Sequence, residues 1–255
     1  MQTHLGTQGQ RTPITADETY QSSELWAGLN IGEKFRLLTF VPYNFNNRET
    51  QSSFGSKNGL GDIALMGYYN LLTKASTLGD KLLVQSLWLG TGIKAPTGKY
   101  EAAEQIALQD SPNNFQLGTA STDFSFNAAY DLRYNDIGLN TNLNYKVNTE
   151  NNFHYHYGNK FTLNTLLYAK FRIAQRFTLA PNAGILFETA GKDVENKKFE
   201  VTTSGGYSLC AVVGAEFAMK AFSFGANYQN IEAQNLADGR AIAGNRVMIH
   251  ISIPF

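Results

Sequence analysis

The sequence predicts an all-β chain folded as an antiparallel, up-and-down transmembrane β-barrel. Three observations carry this. Apolar residues recur with period two along most of the 255 residues, short and long connections alternate between the periodic segments, and charged residues make up only 16% although the mean hydropathy is a mildly polar −0.27. Ordinary soluble domains carry about 25% charged residues, so an outer surface this poor in charge points away from water.

In chain order, strands are expected at 20–30, 35–45, 62–72, 82–94, 121–134, 137–147, 161–171, 177–187, 207–217, 222–229 and 247–255. That is about eleven, most near ten residues long, where globular sheets average about five or six and a tilted membrane strand needs roughly 9–11. The cleanest runs from Ile137 through Leu139, Thr141, Leu143 and Tyr145 to Val147, opposed by Gly138, Asn140, Asn142, Asn144 and Lys146. Phe161 to Phe171, Phe177 to Phe187 and Tyr207 to Phe217 repeat it, and the last strand alternates as Val247, Ile249, Ile251, Ile253 and Phe255. The connections near 32–34, 73–80, 135–136, 173–176 and 219–221 are short, whereas 46–61, 97–114, 148–157, 190–204 and 230–244 are long and polar. Long loops therefore gather at one end, as in outer-membrane barrels with short periplasmic turns.

The two faces of these strands predict which side meets lipid. Same-face aromatics ten residues apart, Phe35/Phe45, Phe124/Tyr134, Phe161/Phe171, Phe177/Phe187 and Tyr207/Phe217, bracket apolar residues as two girdles would. The opposite face carries Asn140, Asn142, Asn144, Lys146, Lys160, Lys170, Glu188 and Glu216, and this predicts a polar lumen. Of these, Asn140, Asn142, Asn144, Lys146, Lys160, Glu188 and Glu216 are the candidate solute path. A lipocalin-type soluble barrel would instead turn its apolar face inward and charge its outside. The expected lumen charges are mixed in sign, so they favour ion pairs over a selective ring.

Other classes are excluded on composition. No stretch approaches the ~18 consecutive apolar residues of a spanning helix, and 13% aromatics argue against disorder. With 21 basic against 21 acidic residues there is no electrostatic footprint for nucleic acid, so none is expected as a partner. The single Cys210 allows no internal disulfide, and no metal or cofactor is expected.

The run from Arg246 to Phe255, an alternating strand ending in Phe, resembles the terminal signal by which bacterial outer-membrane barrels are recognised. The resemblance implies the barrel assembly machinery as a partner, with Val247, Ile249, Ile251, Ile253 and Phe255 as the signal. The segments Asn58-Gly-Leu-Gly-Asp-Ile-Ala-Leu65 and Gly90-Thr-Gly-Ile-Lys-Ala-Pro-Thr-Gly-Lys-Tyr100 resemble the transporter family associated with the meta-pathway of phenol degradation. That similarity implies an outer-membrane channel, set in outer-membrane lipid, for uptake of small, hydrophobic or aromatic solutes. The Asn- and Tyr-rich composition is also similar to that of Bacteroidota barrels.

Some motifs suggest other chemistry. Residues 92–99 have the outline of a phosphate loop, but five residues separate the glycines and Tyr100 stands where Ser or Thr is required. Residues 101–109 could form a helical turn or two. His154 and His156 have metal-site spacing without a third ligand, and read as a solvated rim. His250 and Ser252 share a face, but no G-x-S-x-G element or carboxylate orienter is evident, so His250 reads as a structural lumen residue rather than a catalytic base.

The expected function is an outer-membrane channel and not an enzyme. The alternatives are a sealed structural or surface-interaction barrel and, more weakly, a lipid hydrolase. Residues 18–255 are expected to form a single barrel domain, and residues 1–17 the remains of an extracellular loop or a disordered N-terminus. Barrels of this kind have even strand counts, and eleven strands would start the chain on the wrong side. Twelve are therefore expected in the intact protein, with a signal sequence and first strand upstream of Met1.

Overall fold

The computed structural model describes residues 1–5, 16–50, 53–104, 113–174, 176–220 and 222–253. Its strands are β1 (Gln2–His4), β2 (Asp17–Ile31), β3 (Phe35–Glu49), β4 (Phe54–Leu60), β5 (Ala64–Leu78), β6 (Lys81–Lys94), β7 (Asp123–Tyr134) and β8 (Ile137–Val147). They continue as β9 (Tyr155–His156), β10 (Lys160–Ala169), β11 (Phe171–Ile173), β12 (Phe177–Ala190), β13 (Val194–Glu195) and β14 (Phe199–Glu200). The last are β15 (Gly206–Ala218), β16 (Ser223–Leu236), β17 (Ala241–Ala243) and β18 (Arg246–Ser252). Antiparallel pairing runs β10-β8-β7-β6-β5-β3-β2-β1-β17-β16-β15-β12, and β12 pairs back onto β10, which closes a ring of twelve. No helix among the described residues is long and apolar enough to cross a membrane.

At one end the ring is joined by tight turns. Gly79 (φ 66°) with Asp80, and Asn135 (φ 53°) with Asp136, close two-residue hairpins whose positive φ suits the right-handed twist of the flanking strands. The far ends of the strands carry the long connections, as the alternation predicts. There the segment 46–61, expected as a polar loop, is a hairpin instead: β3 runs on to Glu49 and pairs with β4. β16 likewise extends to Leu236, opposite Gly206. Beyond the bilayer both faces of a strand meet water, so the apolar alternation that marks a strand disappears although the ladder continues. Within residues 101–109, a single 3-10 turn covers Ala102–Glu104, and the remainder from 105 lies outside the described residues. Residues 1–17 contain more than loop, since β1 pairs with both β17 and β2 and Asp17 opens β2.

The ladder fixes which side chains share a face. One row runs Phe35, Tyr69, Leu89, Ala128, Leu143, Leu163, Phe187 and Leu209, apolar at every position. The row beside it runs Arg36, Tyr68, Gly90, Asn127, Asn144, Thr162, Glu188 and Ser208, and its members line the interior. Aromatic contacts gather at two levels on the outer face: Phe35 on Tyr69 (5.1 Å) and Phe177 on Phe217 (5.4 Å) near the short turns, Tyr43 on Phe45 (5.0 Å) and Phe187 against Tyr207 (6.4 Å) near the long loops. Leu25, Leu143, Ile185 and Val213 lie exposed between these levels, the arrangement of a lipid-facing band.

Candidate lumen site

The seven residues expected to line the path lie on one face of β8, β10, β12 and β15, but they join separate groups. Asn144 donates to Asn127 (2.5 Å), Asn142 to Asn140 (2.5 Å) and Asn140 to Asp131 (3.5 Å), with Tyr168 also donating to Asp131 (3.1 Å). Lys146 pairs with Asp123 (3.2 Å), Glu188 with Arg246 (2.5 Å), and Glu216 with His250 (3.3 Å). The expected pairing of Lys146 and Lys160 with Glu188 and Glu216 does not form. Register sets Lys146 opposite Lys160, so Lys146 finds its carboxylate on β7, and Lys160 faces two cavities at the barrel mouth.

A second wall of the lumen was not legible in the sequence. Trp26, Leu38, Phe40, Met66, Tyr68 and Trp88 stand on the inward face of β2, β3, β5 and β6, with Trp26 edge-on to Phe40 (5.4 Å) and the Arg36 guanidinium over Trp88 (4.8 Å). Around these residues both faces carry apolar side chains, so alternation is weak, and only the register assigns these six to the interior.

Three rings on the inner wall lie over glycine. Tyr68 is opposite Gly90, Tyr168 opposite Gly138 and His250 opposite Gly225. A Cβ on Gly90 would come within 2.6 Å of the Tyr68 ring, and a Cβ on Gly138 or Gly225 would overlap its ring outright. Without a Cβ beneath it, each ring lies flat along the wall instead of projecting across the bore.

The mouth is organised by Asp62. Its carboxylate accepts from Lys94 Nζ (2.7 Å), the Gly98 amide (2.9 Å), the Thr119 amide (2.9 Å) and the Thr119 hydroxyl (2.8 Å). Lys94 also pairs with Asp123 (2.6 Å), and Thr97 Oγ1 accepts from the Ile63 amide (2.8 Å). The two segments 58–65 and 90–100 are thus clasped to each other and to the loop that returns through 113–121. That loop bends inward: Asn44 and Asn46, on the inner face of β3, donate to the carbonyls of Leu117 (3.1 Å) and Gln116 (3.1 Å). Gly98 packs on Gly118 so closely that a Cβ would lie 2.7 Å from the Gly118 Cα, which gives the glycine of residues 92–99 a packing role.

Above this, β9, β13 and β14 form a three-stranded sheet. Tyr155, Tyr157 and Val201 are buried there, Tyr155 donates to Asp193 (2.6 Å) and Tyr157 to the Asn113 carbonyl (2.9 Å). Burial holds the Asp193 carboxyl above the usual carboxylate range, even with the Tyr155 hydroxyl and the Gly158 amide (2.8 Å) donating to it. His154 binds Glu150 (2.9 Å) and His156 the Asn148 carbonyl (2.9 Å), so the two imidazoles have separate partners. Beneath the sheet are two cavities of about 390 and 260 Å³, which share Asn114, Tyr157 and Lys160.

A family model described as "Putative MetA-pathway of phenol degradation" matches residues 6–243. Among solved structures, an outer membrane channel from Pseudomonas putida F1 superposes with a TM-score of 0.57 at 12% identity, over 93% of this chain and 82% of that one. No curated protein matches the sequence.

Proposed function

The chain belongs to the MetA-pathway phenol-degradation family, and we propose that it is an outer-membrane channel for the uptake of small hydrophobic or aromatic solutes. One observation carries the reading: the lumen has an aromatic wall, from Trp26 to Trp88, facing an amide wall, from Asn140 to Asn144, with rings held flat over glycines. A planar solute could slide along the aromatic wall while its polar groups exchange water for the amides of Asn140, Asn142, Asn144, Asn127 and Asn164. Lys146, Lys160, Glu188 and Glu216 carry balanced charge along the same path and favour neutral solutes over ions of either sign. The loop held by Asp62 narrows the mouth. The likeness to the Pseudomonas putida channel supports the fold this reading needs.

The outward row Val247, Ile249 and Ile251 on β18 is available as the signal for the barrel assembly machinery. Ile253 follows the strand, and Phe255 lies outside the described residues.

Flux assays on the refolded protein in liposomes test the proposal. Neutral phenolic solutes should cross faster than charged compounds of equal size, with small step conductance in planar bilayers. Absence of both flux and conductance would replace the channel with the sealed, structural barrel, a reading that the packed layer of Phe115, Leu117, Tyr155 and Tyr157 favours. For a hydrolase, His250 now has a carboxylate neighbour in Glu216, but Ser252 stands roughly 6.6 Å further along the same strand face. Lipid hydrolysis lost on His250→Ala would revive that reading.

A further inference from the structure

Charge balances along the lumen as a whole but not at its mouth. Three ammonium groups meet there, from Lys94 on β6, Lys146 on β8 and Lys160 on β10, and all three line the cavity of about 260 Å³. Two buried carboxylates answer them. Lys94 bridges Asp62 (2.7 Å) and Asp123 (2.6 Å), and Lys146 closes on the same Asp123 oxygen from 3.2 Å. Asp62 is further occupied by the Gly98 and Thr119 amides and the Thr119 hydroxyl. Lys160 is left over: it is exposed to the cavity and joins no ion pair or hydrogen bond among the described residues. Glu188 is held by Arg246 (2.5 Å), and Asp193, near enough to feel the Lys160 charge, accepts instead from the Tyr155 hydroxyl (2.6 Å) and the Gly158 amide (2.8 Å). The ladder makes the surplus costly. Lys160 lies directly opposite Lys146, both inward, and like charges opposed across a strand pair destabilise it. The next inward pairs, Thr162 with Asn144 and Asn164 with Asn142, are neutral.

We propose that this corner of the mouth binds a small organic monocarboxylate, a single-ring aromatic acid in size, whose carboxylate lies against Lys160 and Lys146 and whose ring lies beside Tyr157. Three ammonium groups against two carboxylates leave one positive charge, so a monoanion completes the set, and its two oxygens match the two opposed lysines. The adjoining cavity of about 390 Å³ shares Asn114, Tyr157 and Lys160 and is large enough for the ring, since small-molecule pockets begin near about 300 Å³. Its wall also holds two unused donors, the Thr203 hydroxyl and Arg246 Nε, both buried without partners, and Thr203 is only 5% exposed. Spare donors beside a spare positive charge call for a ligand that brings acceptors. The site is an addition to the passage of neutral solutes, because below it the bore regains balance through Glu188 with Arg246 and Glu216 with His250.

Isothermal titration calorimetry on protein refolded in detergent micelles tests this, with benzoate, its neutral analogue benzamide and the cation benzylammonium as probes. Benzoate should bind roughly tenfold or more tightly than either, and the preference should vanish in about 1 M salt, where the screening length is only about 3 Å. Lys160→Met should bring benzoate down to the level of benzamide and Lys160→Arg should restore it, with circular dichroism and the heat-modifiable gel shift reporting that each variant is folded. Without ligand, Lys160→Met should also raise the denaturation midpoint, because the ammonium opposed to Lys146 is gone. The proposal fails if benzamide binds as well as benzoate, or if Lys160→Met keeps the full benzoate affinity. Flux assays decide the channel reading separately: Lys160-dependent binding without any flux keeps this site and removes the channel, and flux without such binding does the reverse.

Discussion

Glycine and aspartate do more in this lumen than their frequency in the sequence suggests. Gly138 lets the Tyr168 ring lie against β8, so Gly138→Val should push that ring into the bore and cost about 1–3 kcal/mol of overpacking strain. Single-channel conductance should fall and the denaturation midpoint should drop; adding Tyr168→Ala should restore conductance, because the obstructing ring is gone. Asp193 sets the pH response of the loop layer. Its carboxyl is raised by burial, so the folded layer holds the proton more tightly than the unfolded chain does. Stability is then fullest below the ordinary aspartate pKa of about 3.9, declines as pH rises towards the raised folded value, and stays lower above it. Protease resistance of the segment 191–205 should therefore be greater in mild acid than at neutral pH, and Asp193→Asn should flatten that difference. Neither residue declares its role locally. Gly138 was legible as an inward position on β8, but the ring it accommodates stands thirty residues on, across a strand pair.

Among the elements, strands that alternate cleanly in sequence were legible almost to the residue, as with β8 from Ile137 to Val147. The clean period exists because one face meets lipid and the other water, so composition records orientation. β4 and the upper half of β16 carry no periodic signal because both faces are wet, and the aromatic wall on β2, β3, β5 and β6 carries little because apolar side chains stand on both faces there. The inward loop over 113–121 has no periodic signal at all; its position is set by Asp62, Asn44 and Asn46, distant in sequence. Gly98→Val tests that element. The added side chain collides with the backbone of Gly118, which cannot rotate away, so the loop should lift from the mouth. Conductance should rise while the heat-modifiable gel shift of the barrel stays unchanged; an unchanged conductance would mean that the loop does not restrict the path.

Taken whole, the molecule is a barrel with a packed loop layer around Tyr155, Tyr157 and Val201 at one end and short turns at the other, and this polarity should be visible in cells. Cysteine at Lys197, exposed in the turn between β13 and β14, should react with an impermeant maleimide on intact bacteria; cysteine at Glu33, in the short turn after β2, should react only after the outer membrane is breached. Native Cys210 is fully buried and should stay silent in both. Labelling of Glu33→Cys on intact cells would reverse the orientation. The sequence by itself determined the architecture, the lipid-facing rows and the end at which loops collect, because a bilayer imposes its period and thickness on every strand separately. Only the tertiary structure decided which lumen charges pair, where the aromatic wall stands and how the mouth is narrowed. Those depend on register and shear around a closed ring, and residues that meet there are brought together by the ladder, not by their spacing along the chain.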